Sequence, residues 1–144
     1  MRPYLLLLAS FLSAQTWTLL PDGGQAMLAA DARLSAPATL ATAQKIQVDG
    51  MPFTDALRIQ INATGTQVWD AQIIASTSGD VKAGDALLMS LYVRGASPAN
   101  ETGEGRATAY LQRNSGDFVK VVTAPLTAGS TWRQVLVPVK SEYS

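Results

Sequence analysis

The chain has 144 residues, with 11 basic and 11 acidic side chains and neither histidine nor cysteine. Without those two residue types it cannot contain a Ser-His-Asp triad, a cysteine nucleophile, a His/Cys zinc site or a disulfide. A formal net charge of zero argues against nucleic acid as a partner, because binding to phosphates requires clustered Lys and Arg. The length suits one domain, and a hydrophobic content of 47% is enough for an apolar core.

The N-terminal segment has the pattern of a secretory signal peptide. Arg2 gives a positive start, residues 5–12 form an apolar run, and Ala14 offers a small residue for cleavage. An apolar run of this length is too short to cross a bilayer, which takes about 20 residues. We therefore expect residues 1–14 to be a signal peptide and residues 15–144 to be secreted without membrane attachment. A buried N-terminal strand or helix is the alternative interpretation.

The remainder of the chain alternates short apolar segments with turn residues. Asp49-Gly50 is its strongest hairpin signal, because both central positions of a type I′ turn require positive φ, although the following Pro52 also allows a longer loop. Residues 26–40 are rich in alanine and allow a helical turn, which Pro37 disfavours. Turn signals that recur about every 8–15 residues are typical of a β-sandwich or barrel.

Five segments alternate apolar residues with a second set of side chains at a period of two, which predicts strands that bury one face. No internal stretch keeps the helical period of about 3.6 residues over three turns. The sequence therefore predicts an all-β fold, an antiparallel β-sandwich. The five segments are residues 57–62, 87–94, 107–112, 119–122 and 134–139.

The opposite faces of these strands carry polar and aromatic side chains. They are exposed if Leu57, Met89 and Ala109 point into the core. A sugar ring stacks its C–H face on an aromatic ring, and its hydroxyls need the donors and acceptors that Arg and Gln supply. An ordinary solvated sheet face has the same composition and is the alternative. The candidate sugar-binding residues on these faces are Arg58, Gln60, Asn62, Tyr92, Arg94, Tyr110 and Gln112.

Two tryptophans have different expected roles. The segment around Trp69 adds either Trp69 itself or Asp70 and Gln72 to the polar surface. Trp69 either packs at the edge of the core or lines a cleft, and both interpretations stay open. Trp132 opens a segment of alternating valines, which predicts a position in the core.

The sequence offers poor candidates for acid–base catalysis. Glutamate occurs only as Glu101, Glu104 and Glu142. Glycoside hydrolysis requires two carboxyl groups about 5–10 Å apart, one of them with a raised pKa. Glu101 and Glu104 lie in a glycine-rich stretch, residues 95–106, where water screens both. We therefore predict that this chain is not an enzyme.

No cofactor is expected. Asp80 and Asp85, together with nearby backbone carbonyls, are candidate ligands for a structural Ca²⁺ ion, because calcium takes oxygen ligands only. Their spacing is not diagnostic of a calcium-binding loop.

An ordered series of motifs resembles the galactose-binding-like jelly-roll modules, close to carbohydrate-binding module families 4, 9 and 22. The similarity covers roughly residues 45–140. The motifs are VDGMPF (48–53), ALRI (56–59), WDAQ (69–72), VKAGDALL (81–88), YVR (92–94), GEGR (103–106) and STWR (130–133).

The resemblance implies a non-catalytic module that binds xylan or β-glucan, plant-type polysaccharides. Such modules often precede the catalytic domain of secreted bacterial family 10 glycoside hydrolases, chiefly xylanases, so a C-terminal catalytic domain is the implied partner. The resemblance also implies that the concave glycan-binding face carries Arg58, Gln72, Tyr92 and Arg94. Because such modules usually continue through at least one further strand beyond the point where this chain reaches Ser144, we expect the sandwich to lack its last strand or strands.

The alternative is the same fold without a ligand, a structural or interaction module attached to a glycoside hydrolase. The two interpretations differ in the concave face. A groove that exposes Tyr92 and Tyr110 favours sugar, whereas a face filled by Leu88 and Leu136 favours the alternative.

Overall fold

The computed structural model describes residues 24, 26–28, 32–97, 101–114 and 116–143. Within these residues the chain forms eight β-strands and no helix, and every strand pairing is antiparallel. The predicted all-β, antiparallel class is therefore confirmed. The predicted signal peptide, residues 1–14, lies outside the described residues.

The strands vary in length from three to nine residues, and each of the five alternating segments predicted from the sequence overlaps one of the longer strands. The overlap is smallest for residues 119–122, of which only 120–122 lie in the nine-residue β7. The part of the chain that the structure describes has no helix long and apolar enough to cross a membrane. The strands are β1 (Arg33–Ser35), β2 (Ala41–Gln47), β3 (Asp55–Ile61), β4 (Gln72–Ile74), β5 (Ala86–Val93), β6 (Gly105–Gln112), β7 (Lys120–Ala128) and β8 (Arg133–Lys140).

The chain divides into two units with the same kind of strand pairing. One unit is Gln25–Val81, in which β1 pairs with β4 and β2 pairs with β3. The other consists of Met1–Gly24 and Lys82–Ser144, in which β5 pairs with β8 and β6 pairs with β7. In each unit the first strand pairs with the last, and the two middle strands form a hairpin. The jelly-roll order implied by the resemblance stays a prediction.

The connection between β2 and β3 is the longer of the two loops that the sequence allows. Gly50 has a φ of 72°, but Asp49 does not have positive φ, so the turn is not of type I′. The loop closes where the Val48 N–H donates to the Thr54 carbonyl at 2.9 Å. Pro52 explains the difference, because it has no N–H to donate to a strand ladder that continues to the turn.

Small residues form the most deeply buried positions. Ala41 of β2 and Ala124 and Ala128 of β7 are buried, whereas larger apolar side chains of the described residues are half-buried or exposed. In the unit that contains β5 to β8, β7 contacts both β5 and β8. The face of β5 that carries Leu87, Met89, Leu91 and Val93 lies opposite three valines of β8, and alternation makes this the apolar face of the pair.

Candidate functional site

The eight predicted binding residues are divided equally between the two units, so each set is described by itself. The unit Gln25–Val81 holds Arg58, Gln60, Trp69 and Gln72. The unit with β5 to β8 holds Tyr92, Arg94, Tyr110 and Gln112.

The hairpin of β2 and β3 has one polar face. Arg58 lies opposite Gln44, and Gln60 lies opposite Thr42. All four side chains are exposed, as alternation along β3 predicted for Arg58 and Gln60. Together with Ala43 they line a shallow depression of about 150 Å³. We call these four residues, Thr42, Gln44, Arg58 and Gln60, the β2–β3 polar face.

The charge on this face belongs to Arg58. On the other face of the hairpin, Lys45 Nζ lies 3.0 Å from Asp55 Oδ2, and the Gln47 amide also donates to Asp55. Within the described part of the chain no carboxylate forms an ion pair with Arg58. The guanidinium therefore keeps all of its donors for water or a ligand.

Trp69 lies in the loop between β3 and β4, which Asp70 holds together. The Asp70 Oδ2 atom accepts hydrogen bonds from the Thr66 N–H at 2.7 Å, the Gln67 N–H at 2.9 Å and the Thr66 hydroxyl at 3.2 Å. The Asp70 N–H donates back to the Gln67 carbonyl at 3.1 Å. The bond from the Gln67 N–H is the largest effect on the pKa of Asp70 and lowers it below its ordinary value of 3.8. Desolvation is the next largest effect and opposes it, and the two bonds from Thr66 lower the pKa further.

Gly65 makes room for this carboxylate. A Cβ atom at position 65 would lie 2.8 Å from both Asp70 Cβ and Asp70 Oδ2, closer than nonbonded atoms approach. The loop between β3 and β4 therefore requires a glycine at this position for packing, not for a positive φ.

The tip of this loop exposes two apolar side chains. Trp69 is 60% exposed and Val68 is 80% exposed. The Gln72 side-chain amide donates to the Trp69 carbonyl at 2.9 Å, so Gln72, which is half-buried, braces the loop through the backbone of Trp69. Of the two interpretations of Trp69, exposure favours a surface role over packing at the edge of the core.

Tyr110 of β6 lies on a polar face formed with β7. Its ring is 40% exposed, and Thr123 lies opposite it. Lys120 Nζ lies 4.5 Å from the centroid of the Tyr110 ring. This contact depends on a register shift after Leu111, since simple alternation from Thr123 would place Lys120 on the other face of the sheet.

Tyr92 lies on a partly apolar sheet face, and Arg94 contacts an aromatic ring. Tyr92 is half-buried opposite Gln134, and Leu88 and Leu136 lie on the same face of the β5–β8 pair. Leu136 is 41% exposed. Arg94 follows the end of β5 and holds its guanidinium 5.5 Å from the centroid of the Trp132 ring, which is half-buried.

Gln112, at the end of β6, is exposed opposite Lys120.

Asp85, one of the two candidate calcium ligands, has an ordinary local role in the loop before β5. The Asp85 carboxylate accepts a hydrogen bond from the Lys82 N–H at 2.8 Å. Among the described residues no group of three or more carboxylate, histidine or cysteine side chains is placed to hold a metal ion. Bound calcium stays a prediction.

Sequence reasoning missed Thr42, Gln44 and Lys120 as members of these surfaces. Thr42 and Gln44 follow only from the pairing register of β2, and Lys120 follows only from the register shift in β7. The chain matches no known protein family, no curated protein and no solved structure. The candidate site therefore rests on its own geometry.

Proposed function

We propose that this chain is a non-catalytic carbohydrate-binding module of a secreted polysaccharide-degrading enzyme, with xylan or β-glucan as its ligand. The observation that carries the proposal is Trp69, an indole that is 60% exposed at the tip of a hydrogen-bonded loop. A large aromatic side chain in water is informative, because the hydrophobic effect favours covering it. The C–H face of a sugar ring is a suitable cover, and its hydroxyls stay hydrogen-bonded to water or to neighbouring side chains.

The loop supports binding because its own hydrogen bonds hold its shape. The carboxylate of Asp70 and the amide of Gln72 fix the backbone on either side of Trp69. A ligand then does not have to order the loop, an ordering that would subtract from affinity. Stacking and hydrogen bonding also need no reacting group, which agrees with the poor set of candidate catalytic acids.

The contribution of Trp69 follows from its exposed area. A tryptophan side chain has about 200 Å² of surface, and 60% of the residue is exposed. If a sugar ring covers half of that exposed part, about 60 Å² leaves water and contributes about 1.5 kcal/mol. Trp69→Ala should therefore weaken binding about tenfold.

Affinity electrophoresis of the full chain in gels that contain xylan, β-glucan or a soluble cellulose derivative tests this proposal. We expect at least one polysaccharide to retard the protein, and Trp69→Ala to lose most of that retardation. Phe118→Ala is the matched control, since Phe118 is an exposed aromatic residue in the other unit. Normal migration of the wild-type chain in every gel would refute the proposal, and equal retardation of Trp69→Ala would refute the role of Trp69.

A second candidate function is a ligand-free interaction module. Leu88 and the partly exposed Leu136 share a face with Tyr92, which supports contact between the β5–β8 face and another protein surface, such as a second copy of this chain. Sedimentation equilibrium distinguishes the two functions. A dimer that Leu136→Glu dissociates, in a protein that no glycan retards, would favour the interaction module.

A further inference from the structure

We propose that the β2–β3 polar face binds a carboxylate-bearing sugar, a uronic acid unit of the glycan. This inference rests on the proposed function and names the chemistry of one unit of its ligand. It arises from Arg58, Gln60, Gln44 and Thr42, which come from two strands and line one depression.

The spacing of the four side chains is fixed by the sheet. Arg58 and Gln44 are directly opposite each other, and so are Gln60 and Thr42. Directly opposite residues have Cβ atoms about 5 Å apart, and same-face residues on one strand are about 7 Å apart. The four side chains therefore start from an area comparable to one sugar unit, and the depression that they line has a volume of about 150 Å³.

The local charges leave Arg58 available to an external anion. The nearest acidic strand residue in sequence, Asp55, points to the other face and pairs with Lys45 at 3.0 Å. Asp70 uses its carboxylate on the N–H groups of Thr66 and Gln67. A guanidinium binds a carboxylate through two parallel hydrogen bonds, a geometry that a neutral hydroxyl cannot reproduce.

The hydrogen-bonding inventory of the face also favours an acceptor-rich ligand. Arg58 contributes donors only, and the amides of Gln44 and Gln60 add two donors each. The hydroxyl of Thr42 and the two amide oxygens are the acceptors that the four side chains supply. Donors therefore exceed acceptors, so a carboxylate flanked by hydroxyls satisfies this face better than a neutral sugar does.

The test compares a glucuronic-acid-substituted xylan with the same xylan after its carboxyl groups have been reduced to alcohols. We expect the full wild-type chain to bind the acidic form about tenfold more tightly, as one charge-assisted bidentate contact allows. Arg58→Gln should remove that difference, so that the variant binds the acidic and the reduced xylan equally. Arg33→Gln is the matched control, because Arg33 is also an exposed strand arginine of the same unit but lies outside this face.

The outcomes separate this inference from the proposed function. Equal binding of the two xylans by the wild-type chain would overturn the uronate site and leave the glycan-binding proposal intact. An equal loss in Arg33→Gln and Arg58→Gln would also overturn it, since general electrostatic attraction would then explain the preference. If the wild-type chain binds neither of the two xylans and does not bind β-glucan, the proposed function itself is overturned. The comparison of the two xylans on wild-type protein needs no variant, so it stands even if Arg58→Gln folds poorly.

Discussion

Replacement of Gly65 by alanine should release the Trp69 loop. The new Cβ atom would lie 2.8 Å from Asp70 Cβ and from Asp70 Oδ2, whereas carbon atoms in contact are about 3.5–4.0 Å apart. One of the two residues must therefore move by roughly 1 Å. Because Asp70 Cβ is close to the backbone, rotation of the carboxylate alone cannot relieve the contact.

A shift of this size breaks the hydrogen bonds that hold the loop. The Thr66 and Gln67 N–H groups lie 2.7 and 2.9 Å from Asp70 Oδ2, so an extra 1 Å takes both beyond the usual limit of about 3.2 Å. Small-to-large changes cost about 1–3 kcal/mol in packed sites, and an exposed loop should fall near the lower limit, about 1 kcal/mol. We expect glycan binding to weaken as well, because Trp69 is then no longer held in place.

Urea unfolding measures the loss of stability, and amide hydrogen exchange at Thr66 and Gln67 reports directly on the two bonds. Gly129→Ala is the control, because Gly129 does not have positive φ and a Cβ there meets no atom within 4 Å. That variant should gain about 0.4–1 kcal/mol by restricting the unfolded chain. If Gly65→Ala is as stable as Gly129→Ala and keeps slow exchange at both amides, the steric argument is wrong.

Two further predictions concern the loss of the Asp70 hydrogen bonds at low pH and the cost of a larger side chain at a buried position of β7. The hydrogen bonds to Asp70 lower its pKa, so the stability that they contribute should be fully present above pH 3.8 and be lost as the pH falls through the lowered pKa. A pH titration of the Thr66 amide resonance detects this loss. Asp70→Asn should abolish the pH dependence of that resonance. Ala124→Leu should cost about 1–3 kcal/mol, because Ala124 is only 7% exposed, whereas Thr123→Leu on the exposed face should change urea stability by less than about 0.5 kcal/mol. Equal effects of the two leucine variants would contradict the assigned faces of β7.

Five of the six described strands with seven or more residues were predictable because apolar residues recur in them at a period of two. The alternation marks β3, β5, β6, β7 and β8 as strands. Burial follows it closely in β8, whereas Ile61 of β3 is 63% exposed, and Leu88 and Tyr92 of β5 are half-buried like the residues with which they alternate. The strands β1 and β4 have three residues each, too few to display a period. In β2 the two faces both carry polar side chains, such as Gln44 and Lys45, so no alternation marks it as a strand.

The candidate site was predictable only where it depends on one strand. Exposure of Arg58 and Gln60 follows from alternation within β3. The position of Gln44 beside Arg58 needs the register of two strands, and the exposure of Trp69 needs a loop whose shape depends on Asp70 and Gly65. Pairing and loop shape are set by contacts between residues that no local sequence period describes.

The structure also distinguishes between Trp69 and Tyr110, the two exposed aromatic residues among the predicted binding residues, as stacking platforms. One face of the Tyr110 ring holds Lys120 Nζ at 4.5 Å from its centroid, a contact that contributes about 0.5–1 kcal/mol at an exposed site and that a sugar on that face must replace. No cation–π contact is present at Trp69 among the described residues, and its exposure, 60%, exceeds the 40% of Tyr110. Tyr110→Ala should therefore weaken glycan binding by less than Trp69→Ala in the same affinity gels. Lys120→Met should leave binding unchanged or strengthen it, because it frees the ring. A larger loss for Tyr110→Ala than for Trp69→Ala would show that the β6–β7 face is the main stacking surface.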